Sequence, residues 1–508
     1  MKRTARIIAL GAALAAAPLA VVGRAKPNIV FILADDLGFG DVGFTCSTRT
    51  NVLARLRTPC LDRLAREGVI LTAHYAAAPV SAPSRASLIT GRIQGKCSLR
   101  DNCFDRAFTE TNTLASVLHG VGYTAWAVGK WGIAGGGESG EKVTSHPLDR
   151  GFDYFYGFLD HLAGHTYYHY NGYLNGAFMG ITENRKDATP SAIGIYSTDL
   201  FIAKAKQLVA RHAAENSNTP FFLYLAMNTI HGSGRCDDTL ATKNPLHVPG
   251  RPYPQDGVSW PLQPEPLKSR NTWIDPAYRT LPEPAARYAT AITRLDTALA
   301  DFMGELARLG LDRNTMVVFT SDNGPADEYG ADPRFFGSNG PFDGFKRDVF
   351  EGGMRVPTFV RWPAHIARGL KDDAPSQFHD WMATLAEAAG AAAPTETEGV
   401  SLLPRWNAKT TALARPSLVY SQYEFPWGGR TEAFRAFESR KAPVRGLQQM
   451  VRMGDYVALR TRIREGNAKT RLYNVVEDPF QQNDLSSRAE QQDRLRDMAR
   501  TLDERLCR

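Results

Sequence analysis

The chain is short of the features that usually classify a sequence quickly. Its six cysteines, at positions 46, 60, 97, 103, 236 and 507 of 508 residues, show no metal-binding repeat. They are compatible with an oxidising compartment, and Cys97 and Cys103 lie close enough in sequence for a small disulfide loop. Spacing alone leaves the pairing open. No segment after the first 25 residues is apolar for long enough to cross a bilayer, so no span is expected in the mature chain. A large charge of one sign is missing as well. Lys2, Arg3, Arg6 and Arg24 are four of the 60 basic residues, and without them the formal +7 comes close to balance against 53 acidic residues. Nucleic acid is therefore not expected as a partner. With 43% hydrophobic and 22% charged residues the composition is that of an ordered globular protein, long enough for a large core and a subsidiary domain.

The N-terminus does carry a signal. A basic start, an uncharged apolar stretch from Ile7 to Val22 and a small-residue end at Gly23-Arg24-Ala25 have the layout of a cleavable secretory signal, here residues 1–25. The stretch is interrupted by Gly11 and Pro18 and is shorter than a membrane anchor needs. Export, to a periplasm, is the expectation.

Four apolar, β-rich runs each stop at polar residues capable of chemistry. They are Asn28 to Leu33 before Asp35-Asp36, Tyr123 to Val128 before Lys130, Phe221 to Leu225 before His231, and Met316 to Thr320 before Asp322-Asn323. Helical patterns lie between them. The longest runs from Ala285 to Leu309, with Tyr288, Ile292, Leu295, Leu299, Phe302, Leu306 and Leu309 on one face, and a short helix follows Thr58-Pro59. The alternation predicts an α/β fold built on a large, mostly parallel sheet flanked by helices, with the polar strand ends meeting in one crevice. The Pro-rich stretch from Gly232 to Pro282 reads as an insertion beside it. Beyond about Leu403, the runs Gln449 to Leu459 and Thr470 to Val476 and a polar helix from Arg488 to Leu506 predict a smaller antiparallel β plus helix domain. The expected division is 26–403 for the large domain and 404–508 for the small one.

Asp35, Asp36, Asp322 and Asn323 offer oxygen ligands alone, which suits a hard cation such as Ca²⁺ or Mg²⁺. Each pair taken singly reads equally well as a turn after a strand. Between them stands the run Ser81-Ala82-Pro83-Ser84-Arg85, extending to Arg92. The ordered series Asp35-Asp36, Ser81 to Arg85, Gly129-Lys130-Trp131, His231, Asp322-Asn323-Gly324 and Lys346 to Gly353 resembles the sulfatase branch of the alkaline phosphatase superfamily. Arg355-Val356-Pro357 and the run from Gly151 to Gly157 extend the resemblance over most of the chain.

The resemblance implies an alkaline phosphatase-like fold and a nucleophile at position 81, where Ser is oxidised to formylglycine. A hydrated aldehyde has two hydroxyls on one carbon, so one can attack sulfur and the other can later expel the sulfate. Residues 35, 36, 81, 322 and 323 would hold the cation, calcium before magnesium. Arg85 would hold the nucleophile, Lys130 and Lys346 would bind sulfate oxygens, and His231 would contact the ester and help protonate the leaving oxygen. A serine at this position implies a radical maturase acting on the chain before export. The substrate would be a sulfated glycan or an aryl sulfate. Trp260, Trp273, Trp427, Tyr167, Tyr168 and Arg430 are candidate cleft residues, although aromatics are more often core.

One position departs from the pattern. Many members carry His two places after the signature Lys, where this chain has Gly132. His161 and His165 follow downstream, and His165 is the candidate replacement for that base. Were Ser81 to remain a hydroxyl, a phosphomonoester or phosphonate hydrolase becomes the alternative. An inactive homologue that binds sulfated glycans is a third reading.

Overall fold

The computed structural model describes the chain outside residues 1–25, 47–55, 103–107, 136–143, 170, 175–176, 193–194, 216–217, 232–273, 328–331, 408–416, 425–438, 440–445, 467 and 507–508. The proposed leader, Cys103, the insertion up to residue 273, Trp260, Trp273, Trp427 and Arg430 lie outside the described residues. Cys97 is a buried free thiol.

A ten-stranded sheet organises the larger part. Its strands in chain order are β1 (Asn28–Ala34), β2 (Val69–Leu71), β3 (Thr124–Lys130), β4 (Tyr154–Phe158), β5 (Thr182–Glu183), β6 (Lys186–Asp187), β7 (Phe221–Ala226), β8 (Thr315–Ser321), β9 (Thr358–Arg361) and β10 (Leu370–Asp372). The spatial order is β10-β2-β9-β8-β1-β7-β3-β4-β5-β6. The five strands from β8 to β4 run parallel, and β9 and β5 join their outer edges antiparallel. Runs such as Phe-Phe-Leu-Tyr-Leu-Ala in β7 are buried at every residue, as expected of parallel strands covered on both faces.

The main helices are α1 (Pro59–Arg66), α2 (Ser81–Thr90), α3 (Leu114–His119), α4 (Ser197–Glu215), α5 (Glu283–Arg308), α6 (Asp380–Ala389) and α7 (Gln492–Arg505). Side chains alternate across a strand, and β1 therefore feeds two cores. Val30 and Ile32 pack in one core with residues of α1, α4 and α5, whereas Ile29, Phe31 and Leu33 pack in the other with residues of α2, α3 and α6. The periodic run predicted from Ala285 forms α5 and contributes Tyr288, Ile292, Leu295, Leu299, Phe302 and Leu306 to the first core.

A second sheet is a four-stranded antiparallel meander of β11 (Val419–Glu424), β12 (Leu447–Met453), β13 (Tyr456–Arg460) and β14 (Arg471–Asn474). The run read from Gln449 to Leu459 is thus two strands, because Gly454 and Asp455 turn the chain between them. One face of the meander packs with Tyr75, Val80, Val349, Phe350 and Met354 of the larger part, and the other is covered by Met498 and Leu502 of α7. This placement matters for the site. The segments it covers are those that lead into Ser81 and follow Lys346.

Candidate active site

Pairing continues past the strand ends and fixes the polar residues there. Asp322 N–H donates to Ala34 O, Asp35 N–H to Thr229 O, and Ile230 N–H to Asp35 O. The turns after β8, β1 and β7 are thereby held side by side. Asp36 takes a left-handed φ of 61°, and its N–H donates to Asp322 Oδ1 at 3.2 Å.

Ser81 opens α2 after the extended residue Val80 and is fully buried. Its Oγ lies 3.3 Å from Asp35 Oδ1 and 3.5 Å from Asn323 Oδ1. One helical turn on, Arg85 donates from Nε and Nη2 to Asp322 Oδ2 at 3.0 and 2.8 Å and from Nη1 to Lys130 O at 3.1 Å. Lys130 ends β3 with Nζ 2.6 Å from Asp35 Oδ2. Lys346 Nζ lies 2.8 Å from Asp36 Oδ2, and Asn323 Nδ2 donates to Asp36 Oδ1 at 2.7 Å. The expected residues of β1, α2, β3, β8 and the Lys346 loop are therefore brought together. Three carboxylates face three cations, each at most 2% exposed.

Burial controls the electrostatics. It pushes the carboxyls of Asp36 and Asp322 above their ordinary range, helped in each by a neighbouring carboxylate and opposed by the cations. Burial lowers the Lys130 ammonium, against the pull of Asp35. For Arg85, burial is again the largest influence and works against the charge, but Asp322, Tyr224 and Asp35 together outweigh it and raise the guanidinium. A cation among these oxygens would offset the cost that raises the two carboxyls. The donor set of Asp35, Asp36, Asp322 and Asn323 contains carboxylate and amide oxygens without thiol or imidazole, so it fits a hard cation. Ligand atoms of Asp35, Asp36 and His231 also lie within 4.8 Å of one another.

His231 follows β7 through a turn closed by its own N–H to Asn228 O. Its Nε2 is 3.7 Å from Asp36 Oδ2, and its Nδ1 is 3.4 Å from Gly164 O. His165 is half-buried, and its ring meets that of His231 nearly edge-on with centroids 4.2 Å apart. His161 completes a triangle at 5.8 Å from His231 and 5.6 Å from His165. Burial, reinforced by the nearby lysines, holds His161 and His231 well below the usual imidazole range.

The residues that brace this corner carry no motif or spacing in the sequence. Asn228 Nδ2 donates to Thr166 O at 2.9 Å, and Ser197 Oγ donates to Asn228 Oδ1. Tyr167 Oη donates to His231 O at 2.9 Å. Tyr167 and Tyr168 are consequently core residues and not cleft lining: they are 0% and 4% exposed, and Tyr167 stacks on Tyr196. An Asn two places after a strand reads as an ordinary turn, so only its contacts distinguish it. Asn102, whose Oδ1 accepts the Ala82 N–H at the start of α2, was equally illegible.

Gly132, the departure from the pattern, has φ 71°. A Cβ there would lie 3.2 Å from Lys130 Cε and 3.7 Å from Arg85 Cδ. The space is instead bordered by the 158–165 segment, to which the Trp131 and Gly132 N–H groups donate through Phe158 O and Leu159 O.

Comparisons with known proteins agree with this geometry. Residues 27–391 match the family model described as Sulfatase. The N-acetylgalactosamine-6-sulfatase of Mus musculus is 30% identical over 432 residues, which cover 79% of this chain and 70% of that protein. The steryl-sulfatase of Rattus norvegicus is 31% identical over 427 residues, covering 74% and 70%. Among solved structures, Ps i-CgsB in complex with k-i-k-neocarrahexaose superposes with a TM-score of 0.70 at 24% identity, covering 94% of this chain and 92% of that one. BT4656 with its substrate D-glucosamine-2-N,6-O-disulfate gives a TM-score of 0.64 at 21% identity, covering 94% and 97%. The two structural likenesses concern the fold, whereas the family match spans the whole set of strand-end residues, and the chain belongs to the sulfatase family of sulfuric ester hydrolases.

Proposed function

We propose that the protein hydrolyses the sulfate ester of a sulfated carbohydrate, or of an aryl sulfate, through a formylglycine made from Ser81. The observation that carries this reading is the buried Ser81 Oγ, held against Asp35 and Asn323 within a ring of Arg85, Lys130 and Lys346. When present, a Ca²⁺ held by Asp35, Asp36, Asp322, Asn323 and residue 81 supplies a Lewis acid, and the formylglycine supplies a nucleophile with a second hydroxyl.

The chain's own residues do the rest. Arg85 orients the side chain at position 81 from one turn along α2 and is itself fixed through two N–H groups on Asp322. Lys130 and Lys346 point fixed ammonium donors at the non-bridging sulfate oxygens, where preorganised charge counts most because water is excluded. His231 presents Nε2 toward Asp36 and the pocket; neutral in the empty site, it becomes the donor that protonates the leaving alcohol oxygen once the negative charge of the sulfate offsets burial and the lysines. His165, packed on the His231 ring, takes the base role for which Gly132 has no side chain.

The glycan preference is supported by the relatives' names and by the disulfated glucosamine bound in one structural neighbour. A periplasmic location and a cytoplasmic maturase belong to the same proposal. No helix among the described residues is long and apolar enough to cross a membrane.

The deciding experiment is mass spectrometry of the peptide spanning Ser81, from protein made in its native host, together with turnover of matched sulfate and phosphate esters. Loss of two hydrogens at Ser81 and preference for the sulfate ester are expected. An intact serine with faster turnover of the phosphate ester would replace this reading with a phosphatase. Binding of sulfated glycans with turnover of neither ester would replace it with an inactive binding protein.

A further inference from the structure

The imidazoles of His161, His165 and His231 present a different chemistry from the oxygen set beside them. Two come from one short 3-10 turn, Leu162–His165 and the residue before it, and the third from the turn after β7. One ring nitrogen from each lies within 4.8 Å of the other two. The rings are mutually steep, with interplanar angles of 68°, 74° and 85°. Steep rings can direct nitrogen lone pairs toward a common point without stacking. A tetrahedral ion with Zn–N bonds of about 2.0–2.1 Å needs nitrogens roughly 3.4 Å apart, so closure requires shifts of about 1 Å at most.

The frame that holds them is already built. Gly164, between the two histidines of the turn, faces His231 Nδ1 through its carbonyl at 3.4 Å, which leaves Nε2 directed into the pocket. Such a carbonyl partner on the second ring nitrogen is the usual companion of a metal-bound imidazole. Asn228 and Tyr167 tie the two turns together through Thr166 O and His231 O. Closing the site would therefore order little additional chain. Half-buried His165 is the ligand with room to rotate.

We propose that His161, His165 and His231 form a second cation site, selective for a borderline transition metal such as Zn²⁺ and separate from the Asp/Asn oxygen site. Imidazole nitrogen suits zinc and binds calcium poorly, whereas a set of carboxylate and amide oxygens suits calcium, so the two neighbouring sites differ in ligand chemistry. Three cations face the cluster: Lys130, Lys346 and Arg85. They weaken affinity for a dication and favour an anion as fourth ligand. Asp36, 3.7 Å from His231 Nε2, acts in the opposite sense. An ion bound here occupies His231. It therefore blocks ester turnover, a consequence that rests on the function proposed above, whereas the binding itself does not.

The test uses the full-length protein loaded with Ca²⁺. Titration with ZnCl₂ by calorimetry, and with Co²⁺ by its visible absorption, should show one ion taken up in addition to calcium. His161→Ala should weaken zinc uptake at least tenfold while keeping calcium content and thermal stability, and His165→Ala should weaken it similarly. If the protein turns over a sulfate ester, zinc should inhibit wild type and leave His161→Ala active. Wild type that takes up no zinc, or a folded His161→Ala that takes up as much, overturns the proposal. Zinc uptake lost in His161→Ala upholds the site even where no sulfate ester is cleaved, so its failure is distinct from failure of the catalytic reading.

Discussion

Adding one carbon at Gly132 tests whether the glycine there is required by the geometry around Lys130. In Gly132→Ala the backbone keeps φ 71°, a conformation that costs an L-residue about 1–2 kcal/mol. Part of this is returned by the stiffer unfolded chain, roughly 0.4–1 kcal/mol, so a net loss of about 1 kcal/mol is expected. The new Cβ also meets Lys130 Cε at 3.2 Å, and the lysine stem must move by a few tenths of an ångström. Its Nζ is held 2.6 Å from Asp35 Oδ2, so the shift reaches the group that would bind sulfate. Since a 1 Å misplacement can cost about 10²-fold in rate, a shift of this size should lower kcat/KM roughly tenfold. Gly454→Ala is the control, because Gly454 has φ 59° with nothing within 4 Å of its Cβ position. It should show a comparable stability loss in urea unfolding with unchanged turnover. Gly132→His should not raise activity, since its imidazole starts from the same crowded Cβ. A Gly132→Ala protein with full activity, or a Gly132→His protein faster than wild type, would refute the reasoning.

Three further outcomes are expected. Burial lowers His74 to about 3 from 6.5, with Trp381 Nε1–H donating to its Nε2 at 3.1 Å. As pH falls below 6.5 the unfolded chain takes up a proton that the folded one refuses, so this stability is full above 6.5 and lost progressively down to about 3. Between pH 7 and 5 the loss is about 2 kcal/mol, and urea unfolding of His74→Asn should show a correspondingly flatter pH dependence. Arg452→Met removes the contacts of a small-sheet residue with Tyr75 and Glu351, leaving Arg355 on Glu351; a loss of about 1–3 kcal/mol in urea unfolding is expected, with reduced turnover from the loosened Lys346 loop. Removing calcium should abolish turnover and lower Tm, both restored by Ca²⁺ better than by Mg²⁺; at 100-fold excess over Kd the stabilisation is about 2.7 kcal/mol, read as a Tm that rises with calcium.

Much of the large domain was legible because its signals are local. Apolar runs bounded by Asp, Asn, Lys and His located β1, β3, β7 and β8 to within two residues, and a 3.6-residue period located α5. The meander was harder to read, since β12 and β13 are separated by only Gly454 and Asp455 and merge into one apparent run. Asn102 and Asn228 act through contacts with distant or backbone groups, and such contacts leave no spacing in the chain.

By itself the sequence determined the order of Asp35-Asp36, Ser81, Lys130, His231, Asp322-Asn323 and Lys346, and therefore the family and the kind of chemistry available. That the polar strand ends meet in one crevice follows from the α/β pattern; only the tertiary structure decided that they are buried and in direct contact there, because parallel pairing sets the ends of β8, β1, β7 and β3 side by side. It also decided that His161 and His165 join His231, and that Tyr167 and Tyr168 turn into the core instead of the cleft. Residue types set what each group can do. Which groups meet depends on strand order and on the direction each side chain leaves the backbone, neither of which is written in local spacing.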